Sequence, residues 1–241
     1  VALTDSLISH WALSEASGDA VDSHSTNTLT ETSGTIASAT GKVGNARDFE
    51  AGDTEYFAIA SNASLQTGDI DWTGSVWVNA ESLGANTVIA ARDDILTSNR
   101  EWILLFDNDG GGKFTFGVFN ASTNVGSAIW GTAASTATWY HIIFWHDAGN
   151  NQIGITVNNG TPVVNATTGA PAVTTTALHV GSVLFSGSPN LYWDGLIDEF
   201  SFWKRVLTSD ERTTLYNAGA GLAYPWTTGN RRRRTLICKA A

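Results

Sequence analysis

Outside residues 208–217 the chain carries almost no helical periodicity, which directs it to an all-β fold. In its place stand short runs rich in Val, Ile, Thr, Phe and Trp, bounded by clusters of Gly, Asn, Asp and Ser, the pattern of strands and turns. Residues 102–106 and 114–119 flank Asp107-Asn108-Asp109-Gly110-Gly111-Gly112 and read as a hairpin with a wide turn. Ile142-Ile143-Phe144-Trp145 is apolar at every position, so its strand is expected to be packed on both faces. Many short strands with regular turn signals predict a β-sandwich. At 241 residues the chain reads as one domain over residues 1–226 followed by a basic tail over 227–241. A single domain of this size buries about 70–75% of the surface its unfolded chain exposes, so no disulfide is needed. The lone cysteine, Cys238, is read as a plain tail residue, with an intermolecular disulfide as the alternative.

The exception to the β pattern is the C-terminal end of the domain. An alternating run, Gly195-Leu196-Ile197-Asp198-Glu199-Phe200-Ser201-Phe202-Trp203, leads into Thr208-Ser209-Asp210-Glu211. Thr208 and Glu211 stand three apart, the spacing of a capping box that satisfies two orphan amides at a helix start. The spacing predicts a helix over about 208–217, with Gly219 taking the left-handed conformation that ends it.

Six motifs in order carry a resemblance to a known family. They are the opening Leu7-Ile8-Ser9-His10-Trp11 with Val21-Asp22-Ser23, then Gly41-Lys42-Val43-Gly44-Asn45-Ala46-Arg47-Asp48-Phe49, and then Ser75-Val76-Trp77-Val78. Thr138-Trp139-Tyr140-His141, the hairpin run ending in Asn158-Asn159-Gly160, and the strand-then-helix ending complete the series. Together they closely resemble laminin G-like jelly-roll domains of the concanavalin A-like lectin/glucanase superfamily. The resemblance implies a jelly-roll β-sandwich used mostly for recognition, so the question is what the chain binds rather than what it cleaves.

Charge divides the chain. Residues 227–241 hold five basic residues, Arg231, Arg232, Arg233, Arg234 and Lys239, and no acid; the remainder has 8 basic and 23 acidic residues. The acidic body should repel nucleic acid and anionic membrane. The basic tail suits an acidic surface, on a neighbouring copy or another protein of a larger assembly; a solvated end is the alternative. Nucleic acid is disfavoured because no aromatic stacking residue is interleaved with the arginines. No basic region followed by an apolar core opens the chain, and nothing approaches the roughly 18 apolar residues of a membrane span. Val1 is small enough to follow a removed initiator Met, so the sequence is read as a whole product made in the cytoplasm, with a trimmed chain or a cleaved signal the alternatives.

Catalytic chemistry is thin. A retaining glycosidase needs two carboxylates about 5–5.5 Å apart. Glu50 and Glu55 stand five apart, and Asp198 and Glu199 are adjacent, so on unbroken strands each pair points to opposite faces. His141 and His146, also five apart, cannot chelate one ion on an unbroken strand; His141 is expected to pack beside Trp139. No catalytic residue is assigned.

Calcium is the cofactor the resemblance implies, through carboxylate and backbone oxygens. By position Asp198 is its first candidate ligand, with Glu15, Asp22 and Asp53 after it. A carboxylate hydrogen-bonded to turn amides is the competing reading of Asp198. For ligand binding, aromatic rings stack on sugar faces while polar side chains bond the hydroxyls. Among ten tryptophans, Trp130 and Trp193 lie beside loop signals and, with Tyr192, are the expected exposed sugar-binding aromatics. Trp11, Trp77, Trp139 and Trp203 lie in strand patterns and are expected in the core.

These readings converge on a non-enzymatic recognition protein that binds a glycan or host-surface polysaccharide. The setting that the resemblance implies, since stand-alone laminin G-like proteins of this format look like phage structural proteins, is the surface of a phage virion, as a decoration or fibre-type protein anchored by Arg231–Arg234. The alternatives are an extracellular bacterial lectin-like adhesin and, third, a glycan-active enzyme or its accessory domain.

Overall fold

The computed structural model describes residues 2–226. Its strands, in chain order, are β1 (Leu7–Trp11), β2 (Thr30–Thr32), β3 (Ala37–Thr40), β4 (Asn45–Phe49), β5 (Tyr56–Ile59), β6 (Trp72–Ala80), β7 (Thr87–Ile95), β8 (Arg100–Asp107) and β9 (Lys113–Asn120). There follow β10 (Thr123–Ile129), β11 (Trp139–Asp147), β12 (Gln152–Val157), β13 (Val163–Ala166), β14 (Leu178–Val180), β15 (Val183–Phe185), β16 (Ser188–Asn190) and β17 (Gly195–Trp203), then the helix α1 (Ser209–Tyr216). One sheet runs β13-β12-β11-β6-β17-β4-β3, with β1 beside the second half of β17. The other runs β10-β9-β8-β7-β14-β5-β2, with the β15–β16 hairpin alongside β7. Two antiparallel sheets face to face make the sandwich that the alternating runs predict.

Between the sheets Trp72 is the hub. Its ring meets Trp102, Phe116, Phe144 and Phe202 at centroid distances of 5.4 to 5.9 Å, from both sheets at once. The expected hairpin is present: β8 pairs with β9 through Asp107↔Lys113, and the Asp107 carboxylate accepts the Gly110 amide at 2.8 Å. That Asp-Asn-Asp-Gly run is therefore a turn organiser.

A second apolar layer lies on the outer face of the first sheet. Ile143 and Trp145 of β11, Trp203 of β17 and Leu7 of β1 pack against Leu207, Leu215 and Trp226. Ile142 and Phe144 turn the other way into the main core, so β11 is covered on both faces as its apolar run predicts. Thr208 caps α1, accepting the Glu211 amide while Glu211 accepts the Thr208 amide, the full capping box. Gly219 takes the expected positive φ, +88°, but the left-handed turn begins before it. The chain turns left-handed at Asn217, φ +48°, two residues before Gly219, because an Asn side chain tolerates that conformation and here bonds the Gly221 carbonyl at 2.7 Å.

One irregularity matters for the site. The pairing of β17 with β6 shifts between Asp198 and Ser201, and Glu199 sits at φ +52°. This bulge breaks the alternation, so Asp198 and Glu199 do not point to opposite faces as an unbroken strand would require. Glu199 joins Ser75, Trp77, His141 and Ser201 around a cavity of about 10 Å³ beneath α1 and Trp226.

Candidate functional site

The outer face of the first sheet is roofed row by row, and the roof stops short of one end. In register across the strands, Asp198, Trp77 and His141 form one row. Tyr216, the last residue of α1, stacks on Trp77 at 5.8 Å, and Trp77 stacks on His141 at 4.7 Å. The next row outward is Asp48, Leu196, Asn79 and Trp139, contributed by β4, β17, β6 and β11. No helix covers it. Alternation puts these four on the outer face because their neighbours Phe49, Ile197 and Val78 are core residues.

A cleft of about 320 Å³ opens here, lined by Asn79, Ala80, Glu81, Thr136, Ala137 and Leu196. The Ala137 amide donates to the Ala80 carbonyl at 2.9 Å and holds the 131–138 loop as its wall. Trp139, half-buried and paired with Asn79, flanks the opening. Trp139 was expected in the core; strand parity instead sends it to the uncovered face. His141, two residues on and on the same outer face, stacks on Trp77.

Acidic groups crowd the other side. Carboxylate oxygens of Asp48, Glu50 and Glu81 lie within 4.8 Å of one another. Asp194 is brought alongside by the Glu81 amide, which donates to its carbonyl at 2.9 Å. Burial, then Glu50 and Asp194, push the Asp48 carboxyl above the usual range. Burial, then Glu81, Asp194 and Asp53, do the same to Glu50; for Glu81 the Asp48 charge leads, followed by burial. The Oδ1 atoms of Asp48 and Asn79 are sealed from solvent and accept no hydrogen bond.

The backbone under the cleft depends on one glycine. Gly195 opens β17 at φ +121°, and a Cβ there would lie 2.3 Å from the Asn79 carbonyl oxygen and 2.7 Å from the Glu81 amide. Gly195→Ala is expected to destabilise the fold by about 3 kcal/mol. Gly52→Ala, which meets nothing within 4 Å, should change little. Thermal melts of the two variants check this; equal melting points would contradict the packing described.

The predicted site residues fall elsewhere. Trp193 is fully buried in the main core, so its expected exposure is overturned: the loop carries it inward. Trp130 is half-buried, packs against the core and limits space at Gly160; Tyr192 lies near Tyr56 and donates to the Pro189 carbonyl at 2.9 Å. Among the described residues no ring contact joins the three.

Three of the calcium candidates, Asp198, Asp22 and Glu15, hold backbone amides on their carboxylates. Asp198 Oδ2 accepts the Lys42 and Val43 amides at 2.7 and 2.8 Å, the turn-anchoring reading, and burial pushes its carboxyl up to about 7. Asp22 accepts four amides, from His10, His24, Ser25 and Asn27, and Glu15 accepts that of Val21. The opposite oxygens of Asp198 and Glu15, Oδ1 and Oε2, are buried without a hydrogen-bond partner, so the amides occupy only part of each carboxylate. Asp53 is near enough for its charge to add to the upward push on Glu50 but is not one of the Asp48–Glu50–Glu81 group. That group, missed in the sequence, offers three converging hard oxygens where calcium takes six to eight. Arg231–Arg234 and Cys238 lie outside the described residues.

Comparison with known proteins places the fold. The family model described as the concanavalin A-like lectin/glucanases superfamily matches residues 51–211. No curated protein matches the chain. Among solved structures, the binding domain of Paraclostridial Mosquitocidal Protein 1 aligns with a TM-score of 0.72 at 13% identity, over 90% of this chain and 53% of that one. This chain therefore spans about half the length of that domain. Domain 4 of AbnA, a GH43 extracellular arabinanase from Geobacillus stearothermophilus solved with arabinotriose, aligns at 0.65 and 21% identity, over 86% of this chain and 96% of that one. The Ruminococcus gnavus IT-sialidase CBM40 bound to α2,3 sialyllactose aligns at 0.51 and 14% identity, over 59% and 80%. At these identities the likeness is one of fold.

Proposed function

This chain belongs to the concanavalin A-like lectin/glucanases superfamily, and from that premise we propose that it is a non-enzymatic recognition protein that binds a glycan in the cleft beside Trp139. The observation that carries the reading is the row on the first sheet left open among the described residues, where the half-buried Trp139, paired with Asn79, neighbours a cleft of about 320 Å³ with mixed polar and apolar walls. An indole face supplies apolar stacking area to a sugar ring, and Asn79, Glu81 and Thr136 supply groups for its hydroxyls. The superfamily neighbours solved with arabinotriose and sialyllactose make a saccharide the natural ligand class to test.

In its fuller form the proposal sets this sandwich on a phage particle, as a decoration or fibre-type protein whose basic segment 227–241 holds copies to an acidic partner; an extracellular bacterial adhesin is the alternative setting. The opposite charge signs of body and tail support an assembly role.

A glycan array probed with the wild type and with Trp139→Ala tests the reading. Trp139 lies outside the three apolar core clusters, so the variant should stay folded. It should weaken glycan binding by about fivefold to a hundredfold, the loss that corresponds to about 1–3 kcal/mol if an indole–sugar contact matches aromatic stacking on a nucleobase. Equal binding by both proteins, or turnover of the bound glycan, would overturn it.

A further inference from the structure

We infer that the β13 edge of the first sheet is a self-association surface, where a second copy of this chain sets its own β13 antiparallel and one sheet runs through the pair. This surface is separate from the Trp139 cleft, and its test is independent of glycan binding. Charge distinguishes it. Residues 114–193 hold a single charged side chain, Asp147, although 15% of the whole chain is charged. That stretch supplies most of β9 and all of β10 to β16, and so both edge strands, β10 and β13, of one flank of the sandwich. On the other flank β2 contains Glu31, and Lys42 closely follows β3. Charged residues guard a natural edge because a bare ladder recruits another strand.

The two uncharged edges differ. β10 is occupied: its Val125 carbonyl accepts the Thr168 amide and its Ser127 carbonyl accepts the Asn165 side chain, both at 2.7 Å. β13 is open. Among the described residues, no backbone group of Val163–Ala166 bonds outside the ladder with β12. Val163 and Asn165 face inward, since their partners Ile155 and Ile153 are core residues; Val164 points outward and is 43% exposed. Asp147 sits at the far end, level with Gln152 and Ala166, and its carboxylate already holds Asn150. Charge also selects the occupant. Outside residues 227–241 the chain has 8 basic and 23 acidic residues, so two bodies repel except where they meet flank to flank. An antiparallel edge is self-complementary about a two-fold axis, each strand offering the other the same row of donors and acceptors. That axis stands perpendicular to the sheet, so the two Trp139 clefts face the same side. With glycan in each cleft, as proposed above, the pair is bivalent.

Sedimentation equilibrium of the full chain in reductant, from about 1 to 100 µM and at low and high salt, tests this. The expected result is a monomer–dimer equilibrium that tightens as salt rises. Salt screens the repulsion between the acidic bodies and takes nothing from an uncharged contact. Val164→Lys should weaken the dimer at least about tenfold, because it brings two like charges together across the two-fold axis. Thr40→Lys, exposed on the β3 edge and equal in added charge, should not weaken it. Val164 is exposed, and a melting point matching the wild type shows that the variant is folded. Three results overturn the inference: a monomer throughout, a dimer that Val164→Lys leaves intact, or one that weakens with salt. The last is what docking of the basic segment 227–241 on an acidic body would give.

Discussion

Glu101→Gln is expected to cost the fold about 3–5 kcal/mol, because it strands a buried guanidinium. Arg92 and Glu101 are both 1% exposed, and Arg92 Nε and Nη2 reach the two Glu101 oxygens at 3.0 and 3.1 Å. The same carboxylate also accepts the Thr67 hydroxyl at 2.8 Å and the Thr174 amide at 2.6 Å, tying two loops to β7 and β8. An amide in its place keeps the shape but removes the charge that balances Arg92. For a domain of this size the melting point should fall on the order of 10 °C. The double variant Arg92→Met/Glu101→Leu should recover much of the loss, since a buried pair is often worth no more than an apolar replacement. Denaturant unfolding of the three proteins measures this; a single variant within about 1 kcal/mol of wild type would contradict the role given to the pair.

Glu199→Gln is expected to change how stability depends on pH. Burial, and then the neighbouring Asp198, push the Glu199 carboxyl up to about 8, and Asp198 itself is raised to about 7 by burial. Groups raised in the fold favour folding while protonated. Their contribution is complete below their ordinary pKa values near 4 and is lost as pH rises through 7 and 8. The buried histidines act in the opposite sense. Burial lowers His10 to about 4, His141 to about 3 and His179 to about 4, so stability falls as pH drops below 6.5. Stability should therefore peak near pH 6.5. A glutamine at 199 cannot ionise, so the decline that Glu199 contributes between about pH 4.5 and 8 should vanish: the alkaline side flattens and the acid side steepens, by an amount on the order of a few kcal/mol in all. Thermal melts from pH 4 to 9 decide this; parallel curves for the two proteins would show that Glu199 does not titrate as its burial implies.

Much of the fold is readable from local chemistry. The Thr208–Glu211 capping box needs only four consecutive residues, and the apolar run in β11 announces cover on both faces because nothing polar interrupts it. The site is harder to read, for a physical reason. Asp48 and Glu50, Glu81, and Asp194 lie on three distant segments, and they meet because β17 pairs with β4 on one side and β6 on the other. Strand pairing of that range leaves no spacing signal. Trp139 and Trp193 exchange roles for a related reason. Alternation fixes that Trp139 points away from Tyr140, but only the length of α1 decides which outer row is left bare. The loop around Trp193 looks solvent-facing by composition, yet its indole fills the core. At Glu199 a single extra residue overrides an alternation that the sequence alone presents as unbroken.

The most direct measurement is an amide chemical-shift map of the full chain with a saturating glycan from the array. Binding at the proposed cleft should concentrate the perturbed amides at residues 79–81, 136–139 and 194–196. Perturbations centred on Trp130 and Tyr192, or on the outer face of the second sheet, would contradict the assignment of the cleft.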